Sequence, residues 1–153
     1  MGSGYIVQRG GGKDYSAFKA RSDGSLNEVT AEMLDGITSI GIYSFAYCSS
    51  LTSIDIPNGM TSIGERAFNK CTSLTSVTIP SSVTSIESSA FSSCSVLTSV
   101  TVEATTPPTL GTNVFNGTSE NLVIYVPAGS VDTYKSASGW STYALRIQAI
   151  PST

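Results

Sequence analysis

The chain has 153 residues, enough for one compact domain and too few for two comfortable ones, with a formal net charge of −3. Charged residues make up only 12%, which argues against an electrostatic grip on nucleic acid and against a charge-driven disordered chain. Histidine is absent, which removes the commonest general base, the Ser-His and Cys-His nucleophile pairs and most zinc chemistry.

The start, Met1-Gly2-Ser3-Gly4, lacks a basic stretch followed by an apolar one, so no signal peptide is expected, and no apolar run approaches the roughly 18 to 20 residues of a membrane span. Tyr5–Gln8 and Tyr15–Ala20 read as strands joined through Gly10-Gly11-Gly12, with a second turn at Asp23-Gly24. They are expected to form a hairpin that caps the first rung of a stacked fold, within a unit spanning residues 1–36. Arg9, Lys13, Lys19 and Arg21 make this end basic, either as a solvated hairpin or as a weak anion contact. Arg9–Asp14 lacks the spacing and the strand-helix context of a phosphate loop.

From Ile37 the chain repeats. Three 23-residue blocks, Ile37–Gly59, Met60–Ser82 and Val83–Thr105, align without a gap. Ile40, Ile63 and Ile86 form one column, Phe45, Phe68 and Phe91 another, and Leu51, Leu74 and Leu97 a third. Side chains in such a register stack on themselves in a solenoid. Thr75–Ile79 alternates, with Val77 and Ile79 inward and Ser76 and Thr78 outward, so it reads as a short strand. Pro57 and Pro80 end these strands, and Asn58-Gly59 and Ser81-Ser82 supply the turns. A second short extended piece, T-S-I, comes next. Ala67-Phe68 and Ala90-Phe91 are expected on single helical or 3₁₀ turns. Weaker copies flank the three at Leu26–Val29 and at residues 106–127, which makes about five rungs with short parallel strands, roughly 20–25 Å in all.

Cys48, Cys71 and Cys94 also recur once per block. A straight row of sulfurs cannot surround one tetrahedral metal ion, and parallel side chains in a packed ladder have the wrong vectors for disulfides. A reduced, buried thiol ladder is expected. After Pro127 a C-terminal cap spans 128–153. Ser130 is the expected N-cap of a short helix from Val131 to about Ala137, which Gly139 stops. Tyr134, Trp140, Tyr143 and Leu145 are expected to cover the last rung.

The pattern L-x-x-I-x-I-P-x-x-x-x-x-I-x-x-x-A-F-x-x-C at Leu74–Cys94 resembles the BspA-like leucine-rich repeat family, with Ser44 departing from it before Phe45. Tyr125–Ser130, Trp140 and Arg146–Ile150 are similar to the C-terminal end common in such proteins of gut bacteria. The resemblance implies a β-rich leucine-rich-repeat solenoid and a secreted or cell-surface binding protein or adhesin, sometimes a prophage-borne surface part, without catalytic activity or cofactor.

Serine is plentiful, but without histidine and with Lys70 the only lysine of the repeats, no activated nucleophile is evident. The acidic residues Asp55, Glu87 and Glu103 are isolated by the repeat, unlike glycosidase carboxylate pairs. Asn116-Gly117-Thr118 spells a glycosylation sequon that has meaning only in a eukaryotic secretory path. Binding is expected at two places. One is the outward strand column, Ser53, Asp55, Ser76 and Thr78, a flat hydroxylated face. The other lies before the cysteine, where blocks two and three carry Glu65, Arg66, Asn69, Lys70, Ser88, Ser89, Ser92 and Ser93 at expected solvent-facing sites, while block one carries Ile42, Tyr43, Ala46 and Tyr47. Those apolar groups need cover from the N-terminal hairpin, or they form a patch for a partner or a second copy. The function expected is binding or adhesion through protein or glycan contacts, or alternatively a structural part of a larger assembly.

Overall fold

Small polar and branched apolar residues alternate in every S-I-x-I stretch, which suits extended backbone with one face buried. The computed structural model describes residues 27–152. Within them such stretches form β3 (Ser53–Ile54), β5 (Ser76–Ile79) and β7 (Ser99–Val102), and the degenerate copies form β1 (Glu28–Val29) and β9 (Val123–Val126) in the same column. The T-S-I pieces form β2 (Ser39–Ile40), β4 (Ser62–Ile63) and β6 (Ser85–Ile86), and β8 (Thr109–Leu110) joins them. A further strand, β10 (Ile147–Ala149), lies beyond the repeats.

All the pairings among the described strands are parallel. Ser39 pairs with Ser62 and Ser62 with Ser85, so the T-S-I column stacks one block on the next in the order β2-β4-β6-β8. The other column runs β5-β7-β9-β10, and the β1–β3 pair reaches it through a bridge from Asp55 to Thr78. Both degenerate flanking copies stack as expected, Val29 against Ile54 and Ile124 against Val100. After Pro107-Pro108 the register slips by one, because Thr109 pairs with Ser85.

The third side of each coil is neither strand nor helix. Its turn hydrogen bonds run from Ser44 N–H to Gly41 O, Ala67 N–H to Gly64 O and Ala90 N–H to Glu87 O. The helical or 3₁₀ turn expected at Ala67-Phe68 and Ala90-Phe91 is therefore not formed; the chain makes plain turns there, bounded on both sides by left-handed residues that no helix accommodates. Tyr43, Tyr47, Arg66, Lys70, Ser89, Ser93 and Asn113 have φ between 55° and 64°. Such backbone is unfavourable for residues other than glycine unless the surroundings over-determine it. Here the ladder does so. The N–H groups of Tyr43, Tyr47, Arg66 and Lys70 donate to Glu65, Asn69, Ser88 and Ser92 carbonyls of the next rung at 3.0, 2.7, 3.0 and 2.9 Å.

Inside, Phe45, Phe68, Phe91 and Phe115 stack face to face with centroids 5.2, 5.2 and 5.9 Å apart. Leu51, Leu74 and Leu97 and the three cysteines are fully buried beside them. All three thiols are free. Cys71 and Cys94 donate to the Phe45 and Phe68 carbonyls at 3.2 and 3.1 Å.

The C-terminal cap follows its expected outline, with corrections. The helix α1 (Val131–Ser136) ends one residue before the expected Ala137, whose backbone is extended. Ser130 makes no side-chain cap; its hydroxyl donates instead to Thr105 O at 2.8 Å, tying the cap to the last complete block. Gly139 therefore does not stop the helix. It opens the next segment, a 3₁₀ stretch over Trp140–Arg146, with φ of +83°, and a Cβ there would lie 2.9 Å from Leu110 O. Trp140 and Tyr134 are fully buried as the lid, with Trp140 Nε1 donating to Pro108 O at 2.8 Å and Tyr134 Oη to Ala104 O at 2.6 Å. Leu145 takes no part in that lid and is fully exposed. Tyr143 packs on the last rung as expected, with its ring edge-on to Phe115 at 5.3 Å and its hydroxyl accepting the Phe115 N–H. The cap also continues the sheet, since Ile147 of β10 pairs with Ile124.

Candidate functional site

The expected binding residues separate onto two faces. Ser53, Asp55, Ser76 and Thr78 are exposed on the outer face of the strand column, where the alternation of the strand points them away from the core. That face is flat. Tyr43, Tyr47, Arg66 and Lys70 meet on the turn side, along a groove of about 520 Å³.

The repeat builds this groove from two parallel columns. Tyr43, Arg66, Ser89 and Asn113 form one rim, and Tyr47, Lys70 and Ser93 the other, all at left-handed positions. A left-handed residue reverses the local chain direction and lifts its side chain off the wall, so seven such residues raise two ridges. The floor between them contains Asn69 and Ser92. Both were expected to face solvent and both are buried, because they lie between the two ridges. Asn69 Nδ2 donates to the Ser92 hydroxyl and, at 3.3 Å, to its carbonyl, which satisfies the buried amide from the next rung.

Block one and block two couple across the rim. The Arg66 guanidinium lies 5.8 Å from the Tyr43 ring centroid and donates to the Tyr43 hydroxyl at 3.0 Å. Lys70 Nζ lies 5.7 Å from the Tyr47 centroid. Both tyrosines stay about half exposed, at 46% and 52%, so the pairs are accessible rather than core. Glu65 approaches Arg66 at 3.7 Å from outside the groove, an exposed ion pair of small energetic value. The hairpin expected to cover Ile42, Tyr43 and Tyr47 lies outside the described residues.

Asn113 and Asn116 close the far end of the groove and were not anticipated there. The one-residue slip after Pro107-Pro108 hides their place in the column, since Asn113 follows Ser89 by 24 residues rather than 23. Ser44, the departure from the repeat pattern, is buried and donates to Gly41 O at 2.9 Å, which holds the first turn together.

The thiols lie behind this wall and differ from it chemically. Burial pushes the Cys48 thiol up to about 12. The hydrogen bond with the Cys94 side chain, and then burial, push Cys71 up as well. Such thiols stay protonated and unreactive near neutrality. The groove offers hydroxyls, amides and two cations, a set suited to holding a polar ligand.

A second concavity, about 490 Å³, lies at the C-terminal end between Glu120–Val123 and the Tyr143–Gln148 region. Arg146 spans it by donating to the Glu120 and Leu122 carbonyls at 3.1 and 3.0 Å. No helix among the described residues is long and apolar enough to cross a membrane.

The family model for the BspA type leucine rich repeat region matches residues 15–138 in six copies. That is more than the about five rungs counted from the sequence, and the match begins within the stretch expected to form the N-terminal hairpin. A search of curated proteins found no match.

Proposed function

The chain belongs to the BspA-type leucine-rich repeat family, and from that premise we propose that it is a non-catalytic binding module that holds a protein or glycan partner in the turn-side groove. Leucine-rich repeats of this type serve in protein interaction. The observation that carries the reading is the coupling of Tyr43 to Arg66 and Tyr47 to Lys70 on one rim system, at the positions where the blocks diverge most. A side chain that departs from its column while the core columns stay constant is free of the packing constraint, and recognition is the use that freedom serves. Secretion or display on a bacterial surface, with a role in adhesion, is the setting we propose.

The test immobilises the whole chain and screens matrix proteins and glycans, comparing wild type with Tyr43→Ser/Tyr47→Ser. Saturable capture that the double variant loses, at unchanged melting temperature, supports the groove. Capture that survives the change places recognition elsewhere.

A second reading, a structural part of an assembly, is favoured by the fully exposed Leu145 beside β10, the last strand of its sheet. Sedimentation that shows self-association, abolished by Leu145→Glu, supports it; a monomer at all concentrations removes it.

A further inference from the structure

Among the described residues the groove brings two cations together with hydroxyls and amides. The chain is acidic overall, at −3. Among the described residues the only cationic side chains are Arg66, Lys70, Lys135 and Arg146, and Arg146 is engaged by two backbone carbonyls. The other pair near the repeats, Arg66 and Lys70, stands in the groove; Arg66 also donates to the Tyr43 hydroxyl and meets Glu65 at 3.7 Å from outside, while the lining itself contains no carboxylate. Beyond them the lining turns to hydroxyls and then to amides, rung by rung, along the axis of the coil.

We propose that this groove binds an anionic polysaccharide, a chain of sugars bearing carboxylate or sulfate, laid along the solenoid axis. The proposal rests on the reading of the groove as the binding face and names its ligand class. Arg66 presents a planar fork that matches a carboxylate or sulfate, and Lys70 adds a point charge one turn away. Ser89, Ser93, Asn113 and Asn116 then face successive sugars with the donors and acceptors that hydroxyl groups need. The rungs are 5.2, 5.2 and 5.9 Å apart at the phenylalanines, a spacing near the advance per sugar of an extended β-linked chain, so a periodic ligand meets a nearly periodic wall. An acidic peptide fits less well. Peptide recognition relies on apolar pockets for anchor side chains, and this lining is almost wholly polar apart from the two tyrosine faces.

The experiment is calorimetric titration of the full chain with four probes: hyaluronan oligosaccharides for carboxylate alone, heparin oligosaccharides for sulfate together with carboxylate, neutral cello-oligosaccharides, and poly-glutamate. One or both anionic sugars bind, the affinity falls at least tenfold in R66Q/K70Q and in S89E, and it weakens as salt rises. Gln is compatible with the left-handed positions as Arg and Lys are, and an unchanged melting curve verifies folding; S89E tests the same groove with both cations intact. Binding of hyaluronan shows that carboxylate suffices, and binding of heparin alone shows that sulfate is needed. Binding of poly-glutamate in place of both, lost in R66Q/K70Q, overturns the sugar assignment while leaving the groove as the binding face. Equal binding of neutral sugars overturns the role of the cations. Anionic-sugar binding indifferent to both variants overturns this proposal, and partner capture that also survives Tyr43→Ser/Tyr47→Ser overturns the groove reading with it.

Discussion

The strand columns and the turn wall are made from the same 23-residue blocks, yet they use the repeat in opposite ways. On the strand side the backbone is extended and, in β5 and β7, the outward residues are small hydroxyls that present nearly the same surface. On the turn side, left-handed residues project Tyr43, Arg66 and Ser89 in one line, and each rung presents something different. The inner faces do not differ in this way, since phenylalanine, cysteine and leucine recur on every rung of the regular blocks. A repeat protein keeps its variety where side chains leave the wall. The shared interior permits it, because stacking of rings and closure of the backbone ladder are satisfied by any residue whose backbone accepts the turn.

The comparison breaks most directly at the interior of the turn wall. Phe68→Ala removes the middle of the ring stack, and stability measured by urea unfolding is expected to fall by about 3–5 kcal/mol. A loss under about 1 kcal/mol would show that the turn wall does not rest on this ladder. Next comes the lid, which holds β8 of the T-S-I column. Gly139→Ala puts a Cβ against Leu110 O in a left-handed conformation, and thermal unfolding is expected to show a loss of about 1–3 kcal/mol. A variant as stable as wild type would mean that the junction adjusts without strain.

Alkali separates the interior from both surfaces. Cys48 titrates near 12 in the folded chain against an ordinary 9.0, so the folded state keeps a proton that the unfolded state has lost. Its contribution is complete below pH 9.0 and declines as pH rises towards 12, with a slope of about 1.4 kcal/mol per pH unit. Tyr134, raised by burial from 10.0 to about 12, adds to the decline above pH 10.0. Urea midpoints that stay flat between pH 9 and 11 would show that water reaches the thiols. The smallest effect belongs to the outer rim. Tyr43→Ser/Tyr47→Ser removes two exposed ring–cation contacts and is expected to change stability by less than about 1 kcal/mol each. A larger loss would mean that these rings are core in solution, covered by the N-terminal segment, and would remove the contrast between a packed interior and a free rim.

The sequence carries the coil almost entirely. Isoleucine, phenylalanine and cysteine spaced by one block are one side of a rung, and proline and the T-S-I triplet mark its corners, so stacking, ladders and lid residues Trp140 and Tyr134 were all legible. The groove was legible only in part. Tyr43, Tyr47, Arg66 and Lys70 stand out as departures from a column, whereas Asn113 and Asn116 hide behind the slip at Pro107-Pro108. Asn69 and Ser92 read as surface because letters alone do not show that two left-handed ridges rise on either side of them. Ser130, Gly139 and Leu145 failed for a related reason. Capping propensity, glycine and bulk are local signals: the hydroxyl was decided by Thr105 and the glycine by Leu110, each from another rung, and bulk alone did not bring Leu145 onto the lid.

What the amino-acid order determined alone is therefore the period, because a hydrophobic column can be buried in a coil only by its own next copy. What the tertiary structure decided is which polar side chains leave the wall and which sink into it. That depends on backbone handedness held by hydrogen bonds from one rung to the next, and those bonds exist only once the rungs have stacked.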